Sequence, residues 1–345
     1  MLQLPNSITV ACPSGSHVQG IAVDAKRKFI YISITTQLVK ADMQGNIVGS
    51  VTGLAGHLGC IAYNYGDGKV YGSLEFKQDS IGRGILANLG SDKQLQDGFY
   101  MTVFDVDKID RVGMDAEKDG VMTAVFLKEV YDDYSAPGHR YGCSGIDGTT
   151  FAPAFGRKDG KNYLYVAYGV YGDITREDND HQVILQYDIS DWGQYAQPLN
   201  QTDMHRCGPA APDGKYFVFT GNTTYGIQNL EYDPVTHTML AAVYRGKKQQ
   251  YPNYPMYFVD CSKAPVEAAL PGIGHNGSQV FLAPIGKYHE NTGIFGCDFP
   301  HGSTGLASLG EGVFYISHPF ENNGVFGTTV KLYRFDPETT EFTLL

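Results

Sequence analysis

Four of the ten histidines recur at one kind of place in the chain. His17 opens His-Val-Gln-Gly-Ile-Ala and His57 opens His-Leu-Gly-Cys-Ile-Ala, each four residues before the isoleucine. His301 opens His-Gly-Ser-Thr-Gly-Leu-Ala, one residue longer, and His139 opens His-Arg-Tyr-Gly-Cys-Ser-Gly-Ile, three longer. A fifth copy carries Tyr225 in Thr-Tyr-Gly-Ile-Gln. Neutral imidazole is the commonest metal ligand, so His17, His57, His139 and His301 gathered in one sphere would hold one divalent cation: Mn, Fe, Zn or Ca. Without a metal, the same rings suit proton transfer near neutral pH. The competing reading is that each ring packs against a neighbour's backbone as part of the repeat.

A second set of polar residues follows the next strand in each copy: Glu75, Lys77 and Gln78; Tyr168, Tyr171 and Asp173; Arg245, Lys247 and Lys248; His318, Glu321 and Asn322. His318 stands where two other copies carry Ile34 and Leu74, so it joins Glu75 and Tyr168 as a candidate acid or base. Arg245 and Lys247 belong to the densest basic cluster of a chain with net charge −11. They would suit a carboxylate or phosphate. Tyr225 and Arg140 complete the expected substrate contacts.

The elements that must position these residues repeat five times. An apolar residue followed by Asp ends a strand at Ala41-Asp42, Phe104-Asp105, Tyr187-Asp188, Val259-Asp260 and Phe335-Asp336. A β-rich run precedes each, at 29–33, 69–73, 164–168, 239–244 and 313–317, and an earlier one lies at 20–24, 60–64, 145–147, 230–233 and 306–309. Fourth strands are expected at 47–51, 123–127, 216–220, 280–283 and 341–344. This is an all-β chain, a β-propeller of five blades with four antiparallel strands each; six or seven blades remain open because the third and fourth units are long. One propeller domain over 1–345 is expected, since no Pro/Gly/Ser-rich separator interrupts the repeat. The residues starting each innermost strand then crowd round the axis. Asp24, Asn64, Asp147 and Asp233 read as hairpin-turn residues that satisfy backbone groups.

Composition agrees. There are 42 glycines, 24 tyrosines and 18 phenylalanines among 345 residues, and 18% of residues are charged. Disorder and coiled coil are excluded. No basic block offers a nucleic-acid surface, and no apolar run is long enough to span a bilayer, so neither nucleic acid nor membrane is an expected partner. The start, Met-Leu-Gln-Leu-Pro-Asn, has no basic and apolar leader pattern, which gives the expectation of a cytoplasmic protein. The six cysteines lie far apart, without Cys-x-x-Cys. Gly272-Ile-Gly-His-Asn-Gly277 precedes a strand rather than opening a helix, so no nucleotide cofactor is expected. Asp115-Ala-Glu-Lys-Asp-Gly120 lacks the closing Glu of a calcium loop.

The ring of histidines on a propeller resembles the bacterial carbohydrate-active propellers, among them the oligogalacturonate lyases. That resemblance implies a divalent metal on the axis and an oligosaccharide substrate containing uronic acid. Five-bladed glycoside hydrolases offer another comparison; their acid pair comes from inner-strand carboxylates, for which no equivalent is visible in the sequence. The expected function is therefore cleavage of a small glycan or glycoside. Elimination would use the Arg245–Lys248 loop and a metal against a uronate, with His318 or a tyrosine as base. Hydrolysis would use an imidazole or Glu75 as acid. The alternatives are a non-catalytic binding or scaffold module and, third, a metal-dependent oxygenase or lactonase.

Overall fold

The computed structural model describes residues 4–12, 16–93 and 95–345. Five antiparallel sheets stand around a common axis as the blades of a β-propeller. The innermost strands are Val18–Val23, His57–Asn64, Cys143–Pro153, Thr223–Asp233 and Leu306–Ser308, in blades I to V. Each hairpins outward into a second strand: Phe29–Ile34, Lys69–Phe76, Asn162–Val170, Thr238–Arg245 and Val313–Asn322. Third strands follow at Gln37–Asp42, Gly98–Phe104, His181–Tyr187, Met256–Asp260 and Val325–Asp336.

The middle strands are buried on both faces, and their alternation explains why. In Gly98–Phe104 every residue is buried. Tyr100 enters the apolar cluster between blades I and II with Leu38, Leu58 and Val70, while its neighbours Phe99 and Met101 enter the one between blades II and III with Ile146 and Val166. Period-two geometry thus feeds one strand into two cores. Tyr165 and Ala241 lie between III and IV, Leu240 and Phe314 between IV and V, and Ile32 and Val330 between V and I. Each buried Leu, Ile or Phe contributes about 1.5–3 kcal/mol. Five clusters serve five interfaces, so no blade stands unpacked.

Ring closure uses both ends of the described chain. Ser7–Cys12, whose residues alternate exposed and buried, pairs antiparallel with blade V from Ser7↔Lys331 to Cys12↔Phe326. The strand Glu341–Leu344 pairs with the remainder of the same partner, from Asp336↔Glu341 to Tyr333↔Leu344. The two short strands share the outermost position of one blade, which ties that blade into the ring from both directions.

Blade IV departs from the expected pattern. The segment predicted as its fourth strand is divided: Asn276–Val280 pairs in parallel with Gly214–Phe219, the outer strand of blade III. Only the next residues reach blade IV, through Asp260 N–H to the Phe281 carbonyl (2.8 Å) and Ala283 N–H to the Phe258 carbonyl (2.7 Å). Two helices also interrupt the repeat. Ser80–Asn88 lies between the second and third strands of blade II, capped by Asp79, which accepts from the N–H groups of Ile81 and Gly82. Lys128–Ser135 follows that blade's last strand. Among the described residues no helix is long and apolar enough to cross a membrane.

Three of the four hairpin acids and amides do what the sequence predicts. Asp24 accepts from the N–H groups of Lys26, Lys28 and Phe29, Asn64 from Gly66, and Asp233 from Val235 and Thr236. Asp147 does not. It lies within the eleven-residue inner strand Cys143–Pro153, on a bulge between Ile146 and Thr149. The bulge removes it from the hairpin and turns it to the axis.

Candidate functional site

The upper face, where the innermost strands begin, holds a buried cluster of charge. His57 is the first residue of the blade II inner strand, and its cross-strand partner is Glu75. The His57 Nδ1 atom lies 3.7 Å from Glu75 Oε1 and 3.8 Å from Asp147 Oδ1 and has no hydrogen-bond partner. Glu75 pairs with Lys77, two residues on and therefore on the same face of the chain. Its other oxygen accepts the Ile146 N–H at 2.9 Å. Lys77 Nζ also donates to the Ser144 carbonyl at 2.8 Å. Gln228 Nε2 donates to Asp147 Oδ2 at 3.1 Å.

Two glycines make the space. A Cβ at Gly145, where φ is +131°, would fall 1.8 Å from Glu75 Oε2, and one at Gly59 would fall 2.3 Å from Asp147 Oδ1. Any side chain at either position displaces a carboxylate.

Two buried carboxyls share one lysine, and that sets their ionisation. Burial, and then the charge of Glu75, raise Asp147 well above the ordinary carboxyl range. Burial raises Glu75 too, but Lys77 opposes that shift by charge and hydrogen bond. Burial works against the Lys77 charge, yet Glu75 and Asp79 outweigh it and the ammonium is held above its usual value. His57 is lowered to about 3, by burial and then by Lys77, so it stays neutral. The cluster is thus a Glu75–Lys77 ion pair beside Asp147, whose carboxyl holds its proton more tightly than an ordinary one. The Asp147 and His57 side chains keep 12% and 13% of their surface accessible, whereas Glu75 and Lys77 keep 4% each. Asp147 therefore meets solvent, and Glu75 acts behind it.

A groove of about 430 Å³ runs over the same face between blades V and I, lined by His17, Tyr244, His301, Phe320, Glu321 and Phe326 among others. Tyr244 ties groove to cluster: burial, and then the nearby Asp147 charge, raise its phenol. Tyr225, held at φ +66° and 45% exposed, stands edge-on to Tyr244 with ring centroids 6.5 Å apart. The groove thus has aromatic walls and shares the upper face with the acid cluster.

The expected metal set does not assemble. Among the described residues no group of three or more His, Cys, Asp or Glu side chains is arranged to hold a metal ion. His57 lies in the acid cluster. His17 and His301 line the groove, His17 edge-on to Phe326 at 5.9 Å and His301 at 4.1 Å from the His318 ring. His139 sits outside both, with Nδ1 2.6 Å from the Tyr134 carbonyl and its ring between Tyr134 and Tyr171. The donor set thus does not fit a divalent cation. Equal spacing does not ensure convergence: His57 alone is part of its strand, His17 precedes its own, and His139 precedes a 3-10 turn at φ +58°.

Other expected site residues are engaged elsewhere. Tyr168 is fully buried and donates to Asp133 Oδ2 at 2.8 Å, far from any acid–base role at the mouth. Arg140 binds the other Asp133 oxygen at 2.6 Å, so it is a strut for the second helix rather than a substrate contact. Arg245 bonds Asp298 at 3.1 Å and the Asn253 carbonyl at 3.1 Å. Lys248 is buried on Asp180 and Asn179, while Lys247 is exposed. His318 accepts or donates to the Tyr333 hydroxyl at 3.0 Å and is lowered to about 4 by burial and then His301.

Asp147 and Gln228 are the residues that sequence reasoning missed, and a signal existed. Aligned on the apolar residue of each inner strand, the next positions read Ala22, Ala62, Asp147, Gln228 and Ala307. Three alanines, an acid and its amide partner occupy one repeat position.

No family model matches the chain, and no curated relative does. Solved structures that resemble it include a functionally unknown protein from Desulfotomaculum acetoxidans DSM 771, 9% identical with TM-score 0.38, covering 96% of this chain and 70% of that one. The calcium structure of a Trichoderma reesei protein of Carbohydrate-Active Enzymes Family AA12 is 10% identical with TM-score 0.42, covering 90% and 80%. The pyranose dehydrogenase PQQ domain from Coprinopsis cinerea is 13% identical with TM-score 0.37, covering 90% and 81%.

Proposed function

We propose that this propeller hydrolyses glycosidic bonds in small glycans, with Asp147, on the same face as the upper groove, as the proton donor. The observation that carries the reading is a carboxyl with its proton affinity raised well above the ordinary range, its side chain 12% accessible, on the face that holds a groove with aromatic walls. A glycosidic oxygen leaves poorly as an alkoxide, so an acid that still holds its proton at neutral pH is what the reaction lacks in water. Asp147 gives its proton to the departing oxygen as the C–O bond breaks. Water adds to the anomeric carbon, and the proton it loses returns to Asp147, which restores the carboxyl and leaves a free reducing end.

Glu75, neutralised by Lys77 and shielded from solvent, is a positioning residue: its charge keeps the proton on Asp147. Tyr225 and Tyr244 offer faces for sugar rings, and the histidines of the groove offer hydrogen bonds to hydroxyls. Elimination on a uronate is the weaker branch, because Arg245 and Lys248 are already paired. The test is reducing-end release from a panel of aryl glycosides and oligosaccharides at pH 5–8. Release by the wild type, lost in Asp147→Asn with folding intact, supports the reading. Glycan binding without turnover would favour a non-catalytic module instead.

A further inference from the structure

The lower face carries a second, unrelated cavity. About 370 Å³ is enclosed by the ends of all five innermost strands and their hairpins, a size that suits a small molecule. Its walls are mostly apolar or aromatic, with Ile21, Ile61 and Leu309 beside Tyr63, Tyr65 and Tyr232. Tyr63 and Tyr65 meet edge to face at 5.2 Å, which makes a rigid aromatic corner.

An acid and a base, Glu231 and Arg27, line this cavity, and neither has an ion-pair partner among the described residues. Glu231 accepts the Ser308 N–H at 2.7 Å on one oxygen; the other has only a long contact, 3.4 Å, from the Thr150 hydroxyl. Arg27 spends one N–H on the Leu309 carbonyl at 2.6 Å and makes no other side-chain hydrogen bond among the described residues, leaving most of its planar fork of donors unused. The two are too far apart to satisfy each other, yet both face one space. Asp24, also on the wall, is committed to three backbone N–H groups of its own hairpin.

We infer that this lower cavity binds a small zwitterion, an α-amino acid with an apolar or aromatic side chain, its ammonium on Glu231 and its carboxylate on Arg27. An isolated buried carboxylate is costly, and a bound ammonium offsets that cost. Burial, with a smaller push from the Asp233 charge, drives the Glu231 carboxyl up to about 8, as expected of an acid without a cation beside it. The guanidinium fork matches a carboxylate at two points. The tyrosine corner and the aliphatic wall receive the side chain.

Calorimetry and thermal shift on the full chain test this with L-phenylalanine, L-leucine, 2-phenylethylamine and 3-phenylpropionate. The expected result is saturable binding of at least one amino acid, with both singly charged analogues at least about tenfold weaker, each lacking one charged contact. Glu231→Gln should weaken the amino acid about tenfold or more and leave 3-phenylpropionate unchanged; Arg27→Gln should do the same and leave 2-phenylethylamine unchanged. Binding of none of the four to the folded wild type overturns the inference. So does equal binding of all four, or amino-acid affinity that survives both substitutions. Reducing-end release is unaffected by either variant if the two faces are independent, so failure here is distinguishable from failure of the hydrolase reading.

Discussion

Asp133 and Asp147 are both buried acids in or beside blade III, and they have opposite surroundings. Asp133, from the second helix, is 0% exposed and is met by Arg140, by Lys215 and by the Tyr168 hydroxyl. Both oxygens have charged or hydroxyl donors, so the carboxylate pins the helix to the propeller. Asp147 has an amide partner and the neutral His57, while the one nearby cation belongs to Glu75. Burial alone therefore does not identify a chemical group. An acid provided with cations holds the fold together, and an acid denied one keeps its proton and faces the mouth.

The largest expected effect separates the two on activity. Asp147→Asn keeps shape and the Gln228 contact but has no proton to give, so glycoside cleavage should fall about 10²- to 10⁴-fold. Its stability should hold or rise at neutral pH. The native carboxyl binds its proton more tightly than the unfolded one, so wild-type stability is full below the ordinary value of 3.8 and declines as pH rises through the raised native value. The amide removes that decline. Paired rate assays and urea melts at pH 5 and 8 check both halves; a melt that collapses would make Asp147 structural.

Asp133→Ala should show the reverse. Two cations and a phenol lose their common acceptor, a loss of about 3–5 kcal/mol for breaking a buried pair. The urea midpoint should drop sharply, while the folded fraction should keep its turnover per active molecule. If the variant lost turnover without losing stability, the contrast between the two acids would fail.

The contrast can be sharpened through Glu75. Its charge is a named cause of the raised Asp147 proton affinity, while Lys77 pulls the other way. In Glu75→Gln only the opposing cation remains, so Asp147 should ionise at lower pH. The alkaline limb of the pH–rate profile should then move to lower pH, with activity at pH 5 lost less than at pH 7. A limb that stays in place would mean that Asp147 does not carry the proton.

The sequence reveals the blades far better than it reveals the site. Strand ends such as Ala41-Asp42 and Tyr187-Asp188 repeat because each blade needs the same third strand and the same turn; Asp42 and Asp188 accept the predicted backbone N–H groups. Equal positions round a ring do not give equal side-chain directions, however. His17 shares the offset of His57 yet lines the groove with His301, while His139 packs between Tyr134 and Tyr171. Asp147 was hidden for the opposite reason. Read as a hairpin residue like Asp24, it stands at the alanine position of its blade, and only the added bulge of the eleven-residue strands places it on the axis. Arg27 and Glu231 gave no signal either, since they meet only when five hairpins close one cavity.

The smallest expected effect compares Asp147 with Glu231, the uncompensated acids of the two faces. Burial carries Glu231 from an ordinary 4.5 to about 8. The native chain then holds a proton that the unfolded chain has released, so this contribution to stability is complete below 4.5 and lost as pH rises to 8. Its slope is at most about 1.4 kcal/mol per pH unit. In Glu231→Gln the corresponding part of the slope should vanish between pH 5 and 8, read from urea midpoints at unit intervals, and glycoside turnover should stay at the wild-type level. Asp147→Asn flattens the curve as well but abolishes turnover. If Glu231→Gln left the slope unchanged, its carboxyl would be ionised in the native chain, and the likeness between the two faces would end there.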